Sequence, residues 1–303
     1  MKITKSQQLG FCMGVRRAVD LAVKEARNAA ANGKVYTLGP LIHNRRVLDE
    51  LKSLGINSIS NRTFGSEQLE NSKEKRINCS IIIRAHGISP ELEDKIRDSG
   101  CRVVDATCPK VKANQLKTQE LSSSGYCLFL AGEAEHAEIT GLLGYAASAP
   151  FCVVTGTVQE AKKKACELYK KNKHGLTALL GQTTISEDEY KAIGNEIKKL
   201  FPNLEIINTI CTATHERQTA LREILDKVDA VIVAGTEESA NTRRLLVIAK
   251  KSGKPCIIAE KPSAIPKEFF TYETVGLCSG ASTPDSVVDE IEIALQYKKC
   301  SLI

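Results

Sequence analysis

Val103-Val104-Asp105-Ala106-Thr107-Cys108-Pro109 reads as a short strand or extended segment, then a turn that runs into a cysteine and a proline. Lys110 to Leu121 follows with the spacing of an amphipathic helix. Pro109 suits a first helical turn, where no amide donor is needed. The same order occurs at Leu9-Gly10-Phe11-Cys12-Met13-Gly14-Val15, ahead of a helical run from Arg16 to Ala26. It occurs again at Ile206-Ile207-Asn208-Thr209-Ile210-Cys211, ahead of Thr212 to Leu225. The cysteines are separated by 96 and then 103 residues. A length of 303 residues alone suggests two domains. The repeat points instead to three modules of about 100 residues.

Two further motifs recur inside each module. Strands ending at Gly39, Gly132 and Gly235 lead, four residues on, to His43, His136 and Ser239. Strands through Ile83, Leu180 and Cys278 lead to His86, Thr183 and Ser282, each ahead of a helix-capping sequence. Nine strand–turn–helix units thus place nine polar groups at the carboxyl ends of strands. In parallel α/β sheets that edge is where ligands bind. Caps and turns alone account for the Gly, Ser and Thr residues of a repeated scaffold. They do not account for a thiol at one equivalent position in each copy. The expected fold is α/β, with three pseudo-threefold-related modules forming a trefoil around one central site. The modules divide at 13–107, 108–210 and 211–290. Residues 1–12 return to complete the third, and 291–303 form a C-terminal tail.

Composition narrows the partners. The net charge is +6, aromatic residues are 5% and Trp is absent, which suits an acidic small molecule and argues against a base-stacking surface. The Lys clusters at 162–164, 170–173 and 198–199 read as solvated helix faces, so no nucleic-acid partner is expected. The longest uncharged run, Ile139 to Gln159, is broken by Gly141, Gly144, Pro150 and Gly156, so no membrane span is expected. Met1 to Gly10 has no apolar core of the kind a signal peptide needs, and the expected location is cytoplasmic. Cys300-Ser301-Leu302-Ile303 resembles a prenylation box, but one such signal anchors weakly.

There are 11 cysteines, an odd number, and in a cytoplasmic chain a disulfide framework is not expected. No Cys-x-x-Cys is present, which excludes a zinc finger or ribbon. Cys127, Cys152, Cys256 and Cys278 lie in apolar strands and read as small buried hydrophobes. Cys79, Cys101, Cys166 and Cys300 have no repeat partner. Only Cys12, Cys108 and Cys211 stand apart, as candidate metal ligands. Zinc accepts three thiolates and one further ligand. A 4Fe–4S cluster held by three cysteines leaves one iron open to substrate. A helix N-terminus at each thiol favours the negative charge of such a cluster. His43, His86 and His136 occupy equivalent module positions, whereas His174 and His215 read as structural. Imidazoles, hydroxyls, Asn241 and helix N-termini suit phosphate oxygens. Glu138, two residues after His136, is either a proton donor beside the cluster or a helix-start carboxylate. A dehydrating iron–sulfur hydro-lyase and a non-catalytic metal-binding sensor are the competing readings.

Nine motifs together resemble the 4-hydroxy-3-methylbut-2-enyl diphosphate reductase family. They are Gly10-Phe11-Cys12-x-Gly14-Val15, His43-Asn44, Ala85-His86-Gly87, Asp105-Ala106-Thr107-Cys108-Pro109, His136-x-Glu138, Gln182-Thr183-Thr184, Ile210-Cys211-x-Ala213-Thr214, Ser239-x-Asn241 and Gly280-Ala281-Ser282. The resemblance implies one 4Fe–4S cluster per chain on Cys12, Cys108 and Cys211, with the fourth iron binding the substrate's alcohol oxygen. It implies that His43, His86, His136, Ser239, Asn241 and Ser282 hold the diphosphate. Glu138 is then the proton source, and Thr183 positions the hydroxyl and relays the proton. The family reaction is reductive dehydroxylation to isopentenyl and dimethylallyl diphosphate, with electrons from a flavodoxin or ferredoxin. Two positions depart from the family pattern. Ala240 stands where a second Ser is usual, which puts one diphosphate contact in question, with Thr242 nearby. Ala137 stands where Pro is usual, which removes a source of rigidity from that turn.

Overall fold

The computed structural model describes residues 1–29, 33–60 and 79–297. It contains three parallel-sheet α/β modules. The chain opens with β1 (Lys2–Lys5) and α1 (Met13–Asn28). The first sheet follows as β2 (Lys34–Leu38), α2 (Arg45–Ser53), β3 (Ile56–Ile59), β4 (Cys79–Ile83), α3 (Pro90–Asp98) and β5 (Arg102–Asp105). Then α4 (Pro109–Ser123) leads to the second sheet. That sheet comprises β6 (Cys127–Ala131), α5 (Ala137–Tyr145), β7 (Cys152–Thr155), α6 (Val158–Lys171), β8 (Thr177–Gly181), α7 (Glu187–Lys198) and β9 (Glu205–Ile206). After α8 (Thr212–Leu225) come β10 (Ala230–Ala234), α9 (Ala240–Lys251), β11 (Cys256–Ala259), β12 (Thr274–Ser279) and α10 (Asp285–Tyr297).

Strand order is the same in all three sheets: β3-β2-β4-β5, β7-β6-β8-β9 and β11-β10-β12-β1. Every pairing is parallel. From the second position onward, the strands of the first two sheets lead to the Gly-x-x-x-polar motif, the capping motif and then a Cys. The third sheet borrows β1 for the last place, ahead of Cys12. One edge strand per sheet, β3, β7 or β11, carries no site residue. The motif reading of nine units passes over these strands because each is a four-residue run with no motif at its end.

The central strands are hydrophobic on both faces, as helix-covered parallel sheets require. All five residues of β6, β8 and β10 are buried. Phe129 and Leu179 pack with α6 and α7 residues such as Ala165 and Ile193 on one face. Leu128, Leu130 and Leu180 pack with Ile139 and Leu142 of α5 on the other. Each fully buried Leu, Ile or Phe contributes about 1.5–3 kcal/mol. Helix starts follow the sequence signals closely: Ser89 caps α3 and Ser186 caps α7.

The chain divides into two compact units. One comprises Met1–Arg16, Ile42–Leu48 and the chain from Cys211 onward, and the other Arg17–Leu41 and Asp49–Ile210.

One expectation is corrected. Cys79 and Cys101 form a disulfide, with 5.3 Å between their Cα atoms. The strand register explains why. Ser80 of β4 lies opposite Arg102 of β5, so the residues just before them start side by side. Cys127 and Cys278 are buried in their strands, and Cys152 and Cys256 are partly exposed. Burial pushes the Cys152 and Cys278 thiols up to about 12. Among the described residues, no helix is long and apolar enough to cross a membrane. Cys300 to Ile303 lies outside the described residues.

Candidate active site

In the unit that holds the second sheet, Cys108 is the N-cap of α4 and Pro109 fills the first helical position. The Cys108 amide donates to the Ala85 carbonyl at 2.9 Å, which brings the thiol's segment beside that of His86. Arg17 fastens the approach from β5, donating to the carbonyls of Thr107 (3.0 Å) and Asp105 (3.3 Å). The His86 and His136 rings meet edge-on, with centroids 5.2 Å apart.

His136 is the N-cap of α5, and its Nδ1 accepts from the Glu138 amide at 3.2 Å. An accepting Nδ1 places the proton of the neutral ring on Nε2, as a donor suited to an anion. The imidazole does the work of a cap here. The helix starts cleanly with Ala137 in place of Pro.

Glu138 is 1% exposed. Its Oε1 accepts from the Thr183 amide and its Oε2 from the Thr183 hydroxyl, both at 2.8 Å. Burial raises its pKa to about 7, against the pull of those two Thr183 bonds, which favour the carboxylate. The raised value removes stability as pH climbs from about 4.5 to about 7, since the unfolded chain ionises first. A buried carboxyl that holds its proton near neutrality and is aimed by a hydroxyl is equipped to donate that proton. Gln182, fully buried, braces the same turn. Its Oε1 accepts from the Glu133 amide at 3.1 Å and its Nε2 donates to Thr184 at 2.8 Å.

The other unit carries Cys12, His43, Cys211, Ser239, Asn241 and Ser282. Cys12 directly precedes α1, and its sulfur accepts from the Val15 amide at 3.5 Å. The Cys12 amide donates to Ala281 at 3.0 Å, so the thiol's turn is joined to the Ser282 turn. Gly10, at φ +71, makes that turn possible, and a Cβ there would strike Asp285. Cys211 is the N-cap of α8. Ser239 caps α9 by accepting from Thr242, which leaves its own O–H to donate. The Ser282 hydroxyl donates to the His43 carbonyl at 3.2 Å, and Thr236 adds a second bond to the same oxygen at 3.0 Å. Asn44, not His43, accepts from Val47 at the start of α2, so this module is offset by one residue from the other two.

Asn241 is 3% exposed, and neither Nδ2 nor Oδ1 has a partner among the described residues. An orphaned amide of this kind costs about 1–3 kcal/mol in the free protein, and a ligand that fills its bonds recovers that cost. Asn241→Leu is expected to raise the melting temperature while weakening the binding of inorganic pyrophosphate about tenfold. Calorimetric titration alongside thermal unfolding checks both. Thr242, the hydroxyl near Ala240, is fully buried beneath Gly235 and Gly280.

Arg217 has no counterpart in the sequence motifs. It lies in α8 and is 3% exposed. Nη1 donates to the Gln8 carbonyl (3.1 Å) and the Ser279 carbonyl (3.2 Å), and Nη2 to the Gly10 carbonyl (2.8 Å). One side chain thus ties the helix begun by Cys211 to the turns of Cys12 and Ser282. Burial pulls its pKa below the ordinary value, and the Cys12 and Cys278 sulfurs oppose that. Arg217→Met strands the buried carbonyls of Gly10 and Ser279, loses the bond to Gln8, and is expected to cost about 3 kcal/mol. Urea unfolding measures that loss.

A family model for the LytB protein matches residues 3–296. The chain belongs to the LytB family. A Treponema denticola relative named 4-hydroxy-3-methylbut-2-enyl diphosphate reductase is 40% identical over 294 residues, 96% of this LytB chain and 98% of its own length. An Aquifex aeolicus protein of the same name is 37% identical, covering 96% and 94%. Among solved structures, the Plasmodium falciparum E-1-hydroxy-2-methyl-but-2-enyl-4-diphosphate reductase superposes with a TM-score of 0.85 at 25% identity, covering 96% of this chain and 87% of that one. A second structure, of (E)-4-hydroxy-3-methyl-but-2-enyl diphosphate reductase, gives 0.69 at 35% identity, covering 97% and 99%. That protein is described as the terminal enzyme of the non-mevalonate pathway.

Proposed function

We infer that this LytB chain is a 4-hydroxy-3-methylbut-2-enyl diphosphate reductase, an oxidoreductase that removes the allylic hydroxyl to give isopentenyl and dimethylallyl diphosphate. The observation that carries the reading is the Glu138–Thr183 pair, a buried carboxyl with a pKa of about 7 held by two bonds at a sheet's carboxyl edge. Cys12, Cys108 and Cys211 are the proposed ligands of one 4Fe–4S cluster. The donor set fits that group. All three thiols are outside disulfides, all are partly exposed, and each stands at the start of a helix. When bound, the cluster supplies electrons and a Lewis-acidic iron.

The chain's own residues do the rest. His43, His86, His136, Ser239, Asn241 and Ser282 bind the diphosphate, and their neutral donors are reinforced by helix N-termini at Ser239 and His136. Thr183 orients the substrate hydroxyl and relays the proton. Glu138 holds that proton on its carboxyl oxygen until the C–O bond breaks. Each module of the division 13–107, 108–210 and 211–290, the third completed by 1–12, opens at or beside one ligand thiol. A flavodoxin or ferredoxin is the proposed electron donor, and the cytoplasm is the proposed location.

Metal analysis after anaerobic purification tests the cofactor. About four irons per chain and a brown chromophore are expected. One zinc without colour would overturn the cluster and favour a non-catalytic metal sensor.

A further inference from the structure

Arg84 directly follows β4 and precedes His86 by two residues. Leu38 of β2 lies opposite Ile83 of β4, so the residues that follow them, Gly39 and Arg84, are neighbours at the carboxyl edge of the sheet. Gly39 has φ +73. A Cβ there would lie 2.9 Å from Arg84 Nη1 and 3.6 Å from its Cζ. The guanidinium therefore occupies space that any other side chain on Gly39 would take. Burial pulls the Arg84 pKa below its ordinary value.

Nothing in the described structure offsets that burial. Nε is buried without a partner, and no side-chain hydrogen bond or ion pair joins Arg84 to any described residue. By contrast, the guanidinium groups of Arg17 and Arg217 are held by carbonyls. A half-buried cation with no counter-charge is destabilising, and an anion that reaches it removes the penalty. The planar fork of a guanidinium matches phosphate oxygens.

We propose that Arg84 binds the diphosphate group of the substrate, adding a permanent positive charge to a donor set otherwise made of imidazoles, hydroxyls and an amide. This rests on the diphosphate reading of the site. The neighbouring Gly39 is part of the device, since its missing side chain makes room for the guanidinium.

The test compares wild-type holoenzyme with Arg84→Met and Arg84→Lys. Inorganic pyrophosphate is titrated calorimetrically at two ionic strengths, and KM and kcat are measured with the diphosphate substrate. Arg84→Met is expected to weaken pyrophosphate at least about tenfold, raise KM by a similar factor, and leave kcat within about twofold. Its binding also loses part of the salt dependence seen in the wild type. Arg84→Lys recovers part of the affinity. Arg84→Gln carries the same expectation as Arg84→Met in a second side chain, should Met perturb folding. Unchanged pyrophosphate affinity overturns the proposal, as does weakened pyrophosphate binding with an unchanged KM, which would mark a site for a free anion. A wild type inert toward the substrate would overturn the functional reading instead, and the pyrophosphate titration, which needs no turnover, would still report on Arg84.

Discussion

Glu138→Gln is expected to retain its iron and lose turnover by about a hundredfold or more. Gln keeps the shape and accepts the Thr183 amide bond at its oxygen, while its NH2 faces the Thr183 hydroxyl, but it has no proton to deliver at neutral pH. General acid catalysis of this kind contributes about 10²–10⁴-fold. The wild-type pH profile follows from the same group. Burial raises the Glu138 pKa to about 7 in the free enzyme, and the acid form is the active one, so kcat/KM should be level below that value and fall above it. Thr183→Val removes the hydroxyl bond that favours the carboxylate. The alkaline limb should therefore move to higher pH even as the maximal rate drops. Steady-state kinetics from pH 6 to 9, with iron content measured on the same samples, checks both statements. Unchanged kcat in Glu138→Gln removes this residue from the mechanism.

The second large effect is on the metal. Cys12→Ser, Cys108→Ser and Cys211→Ser should each lose most of the bound iron, because a cluster with only three protein ligands has none to spare. Cys166→Ser should load normally. Cys166 is exposed on α6 and shares no repeat position with the three. Iron and sulfide per chain, determined anaerobically, separate the cases. Normal loading of Cys108→Ser would contradict the ligand assignment.

Much of the module was legible because local rules decided it. Pro109 after Cys108, and Ser before Glu-Asp at 186–188, mark helix starts that the backbone has no reason to override. Apolar runs and capping likewise located β2, β4, β6, β8, β10 and β12, whereas the strand ahead of Cys12 lies at Lys2–Lys5 rather than beside the thiol. The features that were not legible depend on strand register or on distant partners. The Cys79–Cys101 disulfide forms because β4 and β5 start level with one another, which a spacing of 22 residues does not reveal. Arg217 bonds to residues more than 200 positions away at Gln8 and Gly10. Its only sequence signal was a long cation on the face of a helix with little amphipathic contrast. The Glu138 pKa of about 7 also needs the fold, since from sequence the residue is equally a helix-start carboxylate. The Asn44 cap breaks the threefold analogy by one residue, because Asn is among the strongly preferred N-cap residues.

The most direct measurement counts electrons. The purified holoenzyme is supplied anaerobically with 4-hydroxy-3-methylbut-2-enyl diphosphate and a chemically reduced one-electron donor, and donor oxidation and products are followed together. Two donor molecules oxidised for each isopentenyl or dimethylallyl diphosphate formed is the predicted result. Loss of water from the substrate with no donor consumed would contradict it and make the chain a hydro-lyase.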